Sequence, residues 1–181
     1  MARLCVFCGS RTGLRPDFAD AARTLGMELA ARRIGLVYGG ASVGVMGVLA
    51  NAVLAGEGEV IGVIPHGVFD REVAHTALTE LHVVQSMHAR KALMADKSDA
   101  FLALPGGLGT FDELFEALTW KQIGIHDKPI GVLDVAGYFS DFLRLVETAR
   151  AEGFLDVSPV AVADSSVDRV LRALLPHAHH R

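Results

Sequence analysis

The chain alternates short apolar runs with longer amphipathic stretches over almost its whole length, and this alternation is the strongest constraint on its fold. Short apolar runs predict strands, and longer stretches with a helical period predict helices. The predicted strands span residues 3–8, 35–38, 60–64, 81–84, 100–104, 129–133 and 160–163. The predicted helices span residues 16–33, 43–55, 87–98, 110–123, 138–152 and 166–175.

Several of these strands are almost wholly apolar, as expected where helices cover both faces of a parallel sheet. The alternation therefore predicts a Rossmann-like, doubly wound α/β fold, with a mostly parallel sheet of about seven strands and helices on both faces. The 181 residues contain no linker and no repeat of fixed period, so we expect a single domain over residues 1–181. Only the end of the chain, residues 176–181, is expected to fray.

Charge and cysteine content narrow the possible partners. The chain has 17 Lys and Arg against 21 Asp and Glu, so its net charge of −4 gives no global attraction to nucleic acid or to an anionic membrane. The two cysteines, Cys5 and Cys8, lie on a predicted buried strand, where positions three apart point to opposite faces. We interpret them as buried apolar side chains rather than as a redox or metal pair, and we expect a cytoplasmic protein.

Residues 34–56 could instead form a membrane helix, because they include no charged residue. They also place Gly40 and Gly44 at the spacing of a membrane-helix dimerisation motif. Six glycines interrupt the stretch, however, and residues 38–42 are typical of a turn. A buried strand, a glycine loop and a buried helix of about 14 residues describe it better, so we expect no membrane association.

Nine of the 19 glycines belong to three segments that follow predicted strands. They are Gly9, Gly13, Gly39, Gly40, Gly44, Gly47, Gly106, Gly107 and Gly109. In an open parallel sheet, ligands bind beyond the carboxyl ends of the strands, where these segments must lie. Helix 87–98 begins at the same edge, so the topology brings His88, Arg90 and Lys91 near residues 105–109.

Glycine segments after strands suggest phosphate binding, but the common phosphate-binding motifs do not fit. A G-x-G-x-x-G motif that starts at Gly107 would need a glycine in place of Asp112. The P-loop spacing that starts at Gly39 is followed by Val45 instead of lysine. A dinucleotide dehydrogenase and a P-loop NTPase are therefore disfavoured. What remains is a strand end at residues 104–113 that runs into a helix, where backbone N–H groups and the helix dipole can hold an anion.

The charged residues at this edge have two open interpretations. Thr110 and Glu113 have the spacing of a capping box, in which the glutamate reaches back to the first N–H of the helix. Alternatively, Glu113 lies beside a bound anion, where its carboxylate suits a ribose hydroxyl or an attacking water. Arg90 and Lys91 are either solvated helix charges or ligand-binding groups. Their place at the ligand edge favours binding, because arginine grips phosphate and carboxylate groups bidentately.

Six motifs stand in a characteristic order along the chain. They are V-F-C-G-S at residues 6–10, Y-G-G at 38–40 with G-x-M-G at 44–47, G-V-I-P at 62–65, M-H-A-R-K at 87–91, P-G-G-x-G-T-x-x-E at 105–113 and G-I-H-D-K-P at 124–129. Together they resemble the Lonely Guy family of cytokinin riboside 5′-monophosphate phosphoribohydrolases, over residues 4–154. An older label for similar sequences is lysine decarboxylase, although no pyridoxal-phosphate lysine motif is evident.

The resemblance implies a nucleotide-binding enzyme that hydrolyses the N-glycosidic bond of cytokinin riboside 5′-monophosphates, and of AMP, to a free base and ribose 5-phosphate. It implies that Arg90 and Glu113 are catalytic. It implies that the nucleotide contacts Glu72, Arg90, Lys91, Gly107, Leu108, Gly109, Thr110, Phe111, Asp112, Glu113 and Thr119. Family members are typically homodimers with the site near the subunit interface, and we expect no metal or redox cofactor.

Two departures and two alternatives accompany this resemblance. Leu108 stands where the family commonly has an aromatic residue, and Asp112 stands where it commonly has glutamate. A general AMP nucleosidase would release adenine from AMP without requiring a cytokinin side chain. A non-catalytic carrier would bind a nucleotide or pterin cofactor through the same glycine loop. The joint presence of Arg90 and Glu113 favours the enzyme over the carrier.

Overall fold

The computed structural model describes residues 1–69, 74–156 and 159–177, which form a seven-stranded sheet flanked by helices. The strands are β1 (Arg3–Phe7), β2 (Gly35–Tyr38), β3 (Val60–Pro65), β4 (Glu80–Val84), β5 (Ala100–Ala103), β6 (Ile130–Leu133) and β7 (Val162–Asp164). The helices are α1 (Pro16–Ala31), α2 (Gly44–Ala55), α3 (His66–Phe69), α4 (Met87–Asp96), α5 (Leu108–Gln122), α6 (Ser140–Ala151) and α7 (Val167–Leu174), with a short 3₁₀-helix at Val135–Gly137. Neighbouring strands are parallel, in the order β4-β3-β2-β1-β5-β6-β7.

Both faces of the sheet are buried, and β1 shows how its sequence satisfies them. Leu4 and Val6 pack into one apolar cluster with α1, α2 and α7, whereas Cys5 and Phe7 pack into a second cluster with α4, α5 and α6. The doubly wound fold is therefore confirmed. Cys8 belongs to the first cluster, so the two thiols diverge as predicted, and both are free. Burial raises the pKa of each thiol, which keeps it protonated and unreactive.

The strand order reverses between β1 and β5, and a crevice at such a switch point is the usual ligand site of an open α/β sheet. The glycine segments meet here through Gly9. Its N–H donates to the carbonyl oxygen of Pro105 (3.3 Å), and its own carbonyl oxygen accepts from the N–H of Met46 (3.2 Å). The loop after β1, the loop after β5 and the first turn of α2 are thus tied together by main-chain hydrogen bonds.

The uncharged stretch at residues 34–56 folds as β2, a glycine turn and α2, as predicted. The helix has 12 residues and is about 18 Å long, well short of the roughly 30 Å of a bilayer core. Within the described ranges 1–69, 74–156 and 159–177, no helix has the length and apolar character that a membrane span requires.

Two helix starts differ from the sequence prediction by two residues, each for a local reason. The fifth helix begins at Leu108 instead of residue 110, because Gly107 takes an extended backbone (φ −100°, ψ −155°) and occupies the N-cap position. The sixth helix begins at Ser140 instead of residue 138. There, Ala136 and Gly137 have left-handed backbones (φ 53° and 74°), which delay the helix.

The segment at residues 66–73, which follows β3, is described only in part. It begins with α3, at His66–Phe69. The later part of this segment lies outside the described residues, and Glu72, a predicted nucleotide contact, lies there. Residues 178–181, at the end expected to fray, also lie outside the described residues.

Candidate active site

A cleft of about 620 Å³ opens beyond the carboxyl ends of β1 and β5. The loop at residues 9–13 lines it on one side, and residues 105–110, where β5 leads into α5, line it on the other. Arg90, Glu113 and Met46 also line the cleft. The cleft therefore occupies the edge at which the sequence predicts a ligand site.

Arg90 is a buried cation that main-chain oxygens hold in place. It belongs to the first turn of α4, which begins after Ser86, whose hydroxyl accepts from the N–H of Ala89 (3.1 Å). Only 7% of Arg90 is exposed. Its Nε donates to the carbonyl oxygen of Val63 (3.1 Å), and its Nη2 donates to that of Gly39 (3.4 Å). The guanidinium is therefore fixed against the ends of β2 and β3, as a catalytic group requires.

Gly39 leaves the space that this guanidinium occupies. A Cβ at this position would lie 2.1 Å from Nη2 of Arg90 and 3.0 Å from the sulfur of Met46. No side chain fits there while Arg90 keeps its position. The Y-G-G motif after β2 therefore provides the space that the buried Arg90 guanidinium occupies.

Glu113 lies beside Arg90 in the lining of the cleft. Its Oε1 lies 3.6 Å from Nη2 of Arg90, and only 7% of the residue is exposed. The helix begins at Leu108, so Thr110 lies inside its first turn and Glu113 in its second. The capping-box interpretation is therefore wrong, because Gly107 occupies the N-cap. The glutamate is instead a buried carboxylate held beside a buried cation.

The first turn of α5 supplies the second polar feature of the cleft. By helix geometry, the N–H groups of residues 108–110 have no partner within the helix and carry the positive end of its dipole. Gly107, Gly109 and Thr110 line the cleft, and only 3% of Thr110 is exposed. This arrangement suits a phosphate or another anion.

Lys91, the neighbour of Arg90, points elsewhere. Its ammonium lies 2.7 Å from a carboxylate oxygen of Asp112 and 3.1 Å from one of Glu116, and it does not line the cleft. Burial opposes the charge, but these two ion pairs outweigh it and raise the pKa of Lys91. Asp112, a predicted nucleotide contact, is thus paired with Lys91, as is Glu116. His88 is exposed and does not line the cleft either.

The remaining predicted contacts divide between the cleft and the outer face of α5. Leu108 lines the cleft and is 88% exposed. Phe111 is half-buried and stacks on Tyr138, with ring centroids 6.3 Å apart. Thr119 is exposed, does not line the cleft, and donates its hydroxyl to the carbonyl oxygen of Phe115 (2.7 Å).

The cleft lining also includes Arg11, Phe18 and Tyr138, which the sequence did not single out. The Tyr138 hydroxyl donates to the carbonyl oxygen of Gly106, and its ring packs edge-on against Phe18, with centroids 5.5 Å apart. Tyr138 follows β6, whose carboxyl end meets the same sheet edge, and Arg11 follows β1. Their topological position is the signal that could have identified them.

Comparison with known proteins gives similarity over most of the chain. A family model described as possible lysine decarboxylase matches residues 46–174. A probable cytokinin riboside 5′-monophosphate phosphoribohydrolase of Oryza sativa subsp. japonica is 49% identical over 174 residues, which make up 95% of this chain and 78% of the relative. A cytokinin riboside 5′-monophosphate phosphoribohydrolase of Arabidopsis thaliana is 52% identical over 159 residues, 88% of this chain and 74% of the relative.

Solved structures share the fold at lower identity. The molybdenum cofactor carrier protein of Chlamydomonas reinhardtii superposes with a TM-score of 0.71 at 22% identity, over 97% of this chain and 98% of that one. A molybdenum cofactor binding protein of Rippkaea orientalis gives a TM-score of 0.70 at 24% identity, over 94% of this chain and 93% of that one. At this identity the two structures indicate a common architecture alone.

Proposed function

The chain belongs to the Lonely Guy family, and on that premise we propose that it removes the base from cytokinin riboside 5′-monophosphates and from AMP. The names of the plant relatives support this substrate class. The cleft supports it independently, because it combines an anion site with a buried carboxylate.

The observation that carries the proposal is the buried pair of Arg90 and Glu113 beside the first turn of α5. Nη2 and Oε1 lie 3.6 Å apart, and each residue is only 7% exposed. With the 5′-phosphate at the amides of residues 108–110, the ribose extends towards Glu113, one helical turn further along. A carboxylate at that point stabilises positive charge on the sugar, and Arg90 fixes its orientation.

The proposed reaction is a hydrolysis through an oxocarbenium-like transition state. The bond between C1′ and the glycosidic nitrogen breaks, and its electron pair leaves with the base. Water adds its oxygen to C1′ and gives up one proton, and the base takes up one proton. Glu113 orients this water and faces the developing charge. The products are the free base and ribose 5-phosphate.

The label of the family model, possible lysine decarboxylase, does not fit the cleft. Pyridoxal-phosphate chemistry needs a lysine that forms a Schiff base with the cofactor. Among the described residues that line the cleft there is no lysine. Lys91, the nearest in sequence to Arg90, is held in ion pairs with Asp112 and Glu116. We therefore favour hydrolysis over decarboxylation.

We further propose that the protein is a homodimer that pairs through the outer face of α5. Leu108, Asp112, Phe115, Thr119 and Ile123 follow a spacing of three and four residues, so they form one stripe along the helix. All five are exposed, with exposed fractions of 88% for Leu108 and 65% for Ile123. Thr119 lies on this stripe and outside the cleft of its own chain, so a nucleotide contact by Thr119 would be made to a second copy.

We also propose a cytoplasmic location. Its support is the state of the two cysteines, since Cys5 and Cys8 are buried free thiols. A reducing compartment preserves such thiols. Detection of a tagged full-length chain in cell fractions tests this directly.

Base release tests the proposed activity. The protein is incubated with AMP and, separately, with isopentenyladenine riboside 5′-monophosphate, and free base and ribose 5-phosphate are quantified by chromatography. We expect equal amounts of both products from each substrate. The Glu113→Gln variant should keep its melting temperature and bind AMP, yet lose about 100- to 1,000-fold in kcat. Adenine release from AMP alone would indicate a general AMP nucleosidase. Binding without release would indicate a carrier, and a fully active variant would remove Glu113 from the mechanism.

A further inference from the structure

We propose that Arg11 is the phosphate-recognising residue of the cleft and makes the protein selective for nucleoside monophosphates over nucleosides. The inference rests on the proposed function, because it names the group that binds one part of that substrate. It starts from the negative charge of the substrate. A nucleoside monophosphate carries about two negative charges at pH 7, and cations beside it gain favourable ion pairs.

The two cations that the family motif supplies are already engaged. The Arg90 guanidinium is buried and donates to the carbonyl oxygens of Val63 and Gly39, with Glu113 at 3.6 Å. Lys91 lies in ion pairs with Asp112 and Glu116, outside the cleft. Lys91 therefore does not line the cleft, and main-chain oxygen atoms hold Arg90 beside Glu113.

Arg11 is the other cation among the described residues that line the cleft. Its side chain is exposed, and the described part of the chain offers it no carboxylate within 4.0 Å. Arg15, four residues later, instead forms an ion pair with Asp17 at 2.8 Å. Arg11 thus retains all its guanidinium donors for a ligand, and such donors bind a phosphate bidentately.

The backbone that carries Arg11 is firmly placed. Gly44 has a left-handed backbone (φ 63°), and a Cβ there would lie 2.3 Å from the carbonyl carbon of Ser10 and 2.5 Å from the N of Arg11. The loop therefore packs directly on the start of α2. Main-chain hydrogen bonds at Gly9 tie the same loop to Pro105 and Met46. Arg11 accordingly has a fixed backbone and lines the same cleft as Gly107 and Thr110, so only its side chain has to adjust to a phosphate there.

In this arrangement, different residues of one site act on the sugar and on the phosphate. Arg90 and Glu113 act at the sugar, where the bond breaks. Arg11 and the first-turn amides of α5 act at the phosphate, which does not react. The phosphate contact is made equally in the ground state and in the transition state, so its removal should raise KM and leave kcat nearly unchanged.

The test compares AMP with adenosine in wild-type protein and in the Arg11→Ala and Arg11→Lys variants, with Arg15→Ala as the matched control. Rates of base release give KM and kcat. Calorimetric titration gives the Kd of each ligand whether or not it is hydrolysed. We expect Arg11→Ala to raise KM and Kd for AMP about 10- to 100-fold, with kcat changed less than threefold. Arg11→Lys should recover part of this loss, adenosine binding should not change, and Arg15→Ala should match the wild type.

The outcomes separate this inference from the proposed function. Wild-type protein that binds AMP but releases no base would refute the hydrolase, and Arg11 would still be judged from the Kd values. An Arg11→Ala variant whose KM and Kd for AMP stay within twofold of the wild type would overturn the inference. Equal losses for AMP and adenosine would also overturn it, because Arg11 would then support the cleft without recognising phosphate. Failure of the wild type to bind AMP would overturn both.

Discussion

Replacement of Gly39 by alanine is the sharpest test of how this site is built. The φ of Gly39 lies outside the left-handed region, so alanine adopts this backbone without strain. The added methyl group would instead sit 2.1 Å from Nη2 of Arg90. The substitution therefore acts on the position of one buried guanidinium without altering any charged group.

The size of the effect follows from the required movement. Ordinary van der Waals contact begins at 3.4 Å, so Nη2 has to retreat by about 1.3 Å. This movement breaks the hydrogen bond to Gly39 and separates Arg90 from Glu113. A misplacement of about 1 Å at a reacting centre costs about 100-fold in rate, or about 2.7 kcal/mol. Loss of one charged hydrogen bond should lower the unfolding free energy by about 2 kcal/mol and the melting temperature by about 4–8 °C.

The assay is the kcat/KM for base release from AMP, measured well below the melting temperature of the variant. Gly67→Ala is the matched control, because a Cβ at Gly67 would meet no atom of the described residues within 4 Å. We expect Gly67→Ala to behave as wild type and Gly39→Ala to lose about 100-fold in kcat/KM. If Gly39→Ala folds and keeps kcat/KM within threefold of the wild type, the placement of Arg90 does not matter for turnover, and the argument fails.

Two further predictions concern pH and assembly. Burial lowers the pKa of His75, whose Nε2 lies 2.9 Å from Oδ1 of Asn51, so its contribution to stability is complete above about pH 6.5 and declines as pH falls towards the folded-state pKa. Unfolding free energies at pH 7.5 and 5.5 should therefore differ less in His75→Gln than in wild type, and equal differences would refute this. Ile123→Lys places a charge on the exposed stripe of α5 and should shift the protein from dimer to monomer in light scattering, with little change in melting temperature. A dimer of unchanged stability would exclude this face as the interface.

The fold was predictable because its five central strands, β1, β2, β3, β5 and β6, are buried on both sides. In β1, successive apolar residues serve opposite faces, so the run has no polar alternation, which excludes a half-exposed sheet. The location of the cleft followed from the same topology, because parallel strands end at one edge. The seven predicted strands and the long helices are all present. The fold and the location of the cleft depend on patterns that extend over many residues, so the conformation of one residue does not alter them.

The features that the sequence did not predict depend on the packing and backbone conformation of individual residues. Arg90 and Lys91 are neighbours, and they differ by about 100° around α4, so only tertiary packing determines which one faces the cleft. The spacing of Thr110 and Glu113 matches a capping box, yet Gly107 takes the N-cap because β5 leads directly into the helix there. The sequence alone does not distinguish Arg11 from the other arginines. Its position in the cleft depends on the glycine turns that pack against its backbone.

The partners of Arg90 have an evolutionary consequence. Its guanidinium donates to main-chain carbonyl oxygens at residues 39 and 63, and such oxygens are present whatever side chains a descendant carries at position 63. Apart from the need for glycine at position 39, the groups that hold Arg90 are therefore supplied by the main chain of the sheet itself. Arg11 and Tyr138, on the rim of the cleft, act instead through their side chains. Exchange of rim residues can therefore change which substrates bind without disturbing the hydrogen bonds that hold Arg90.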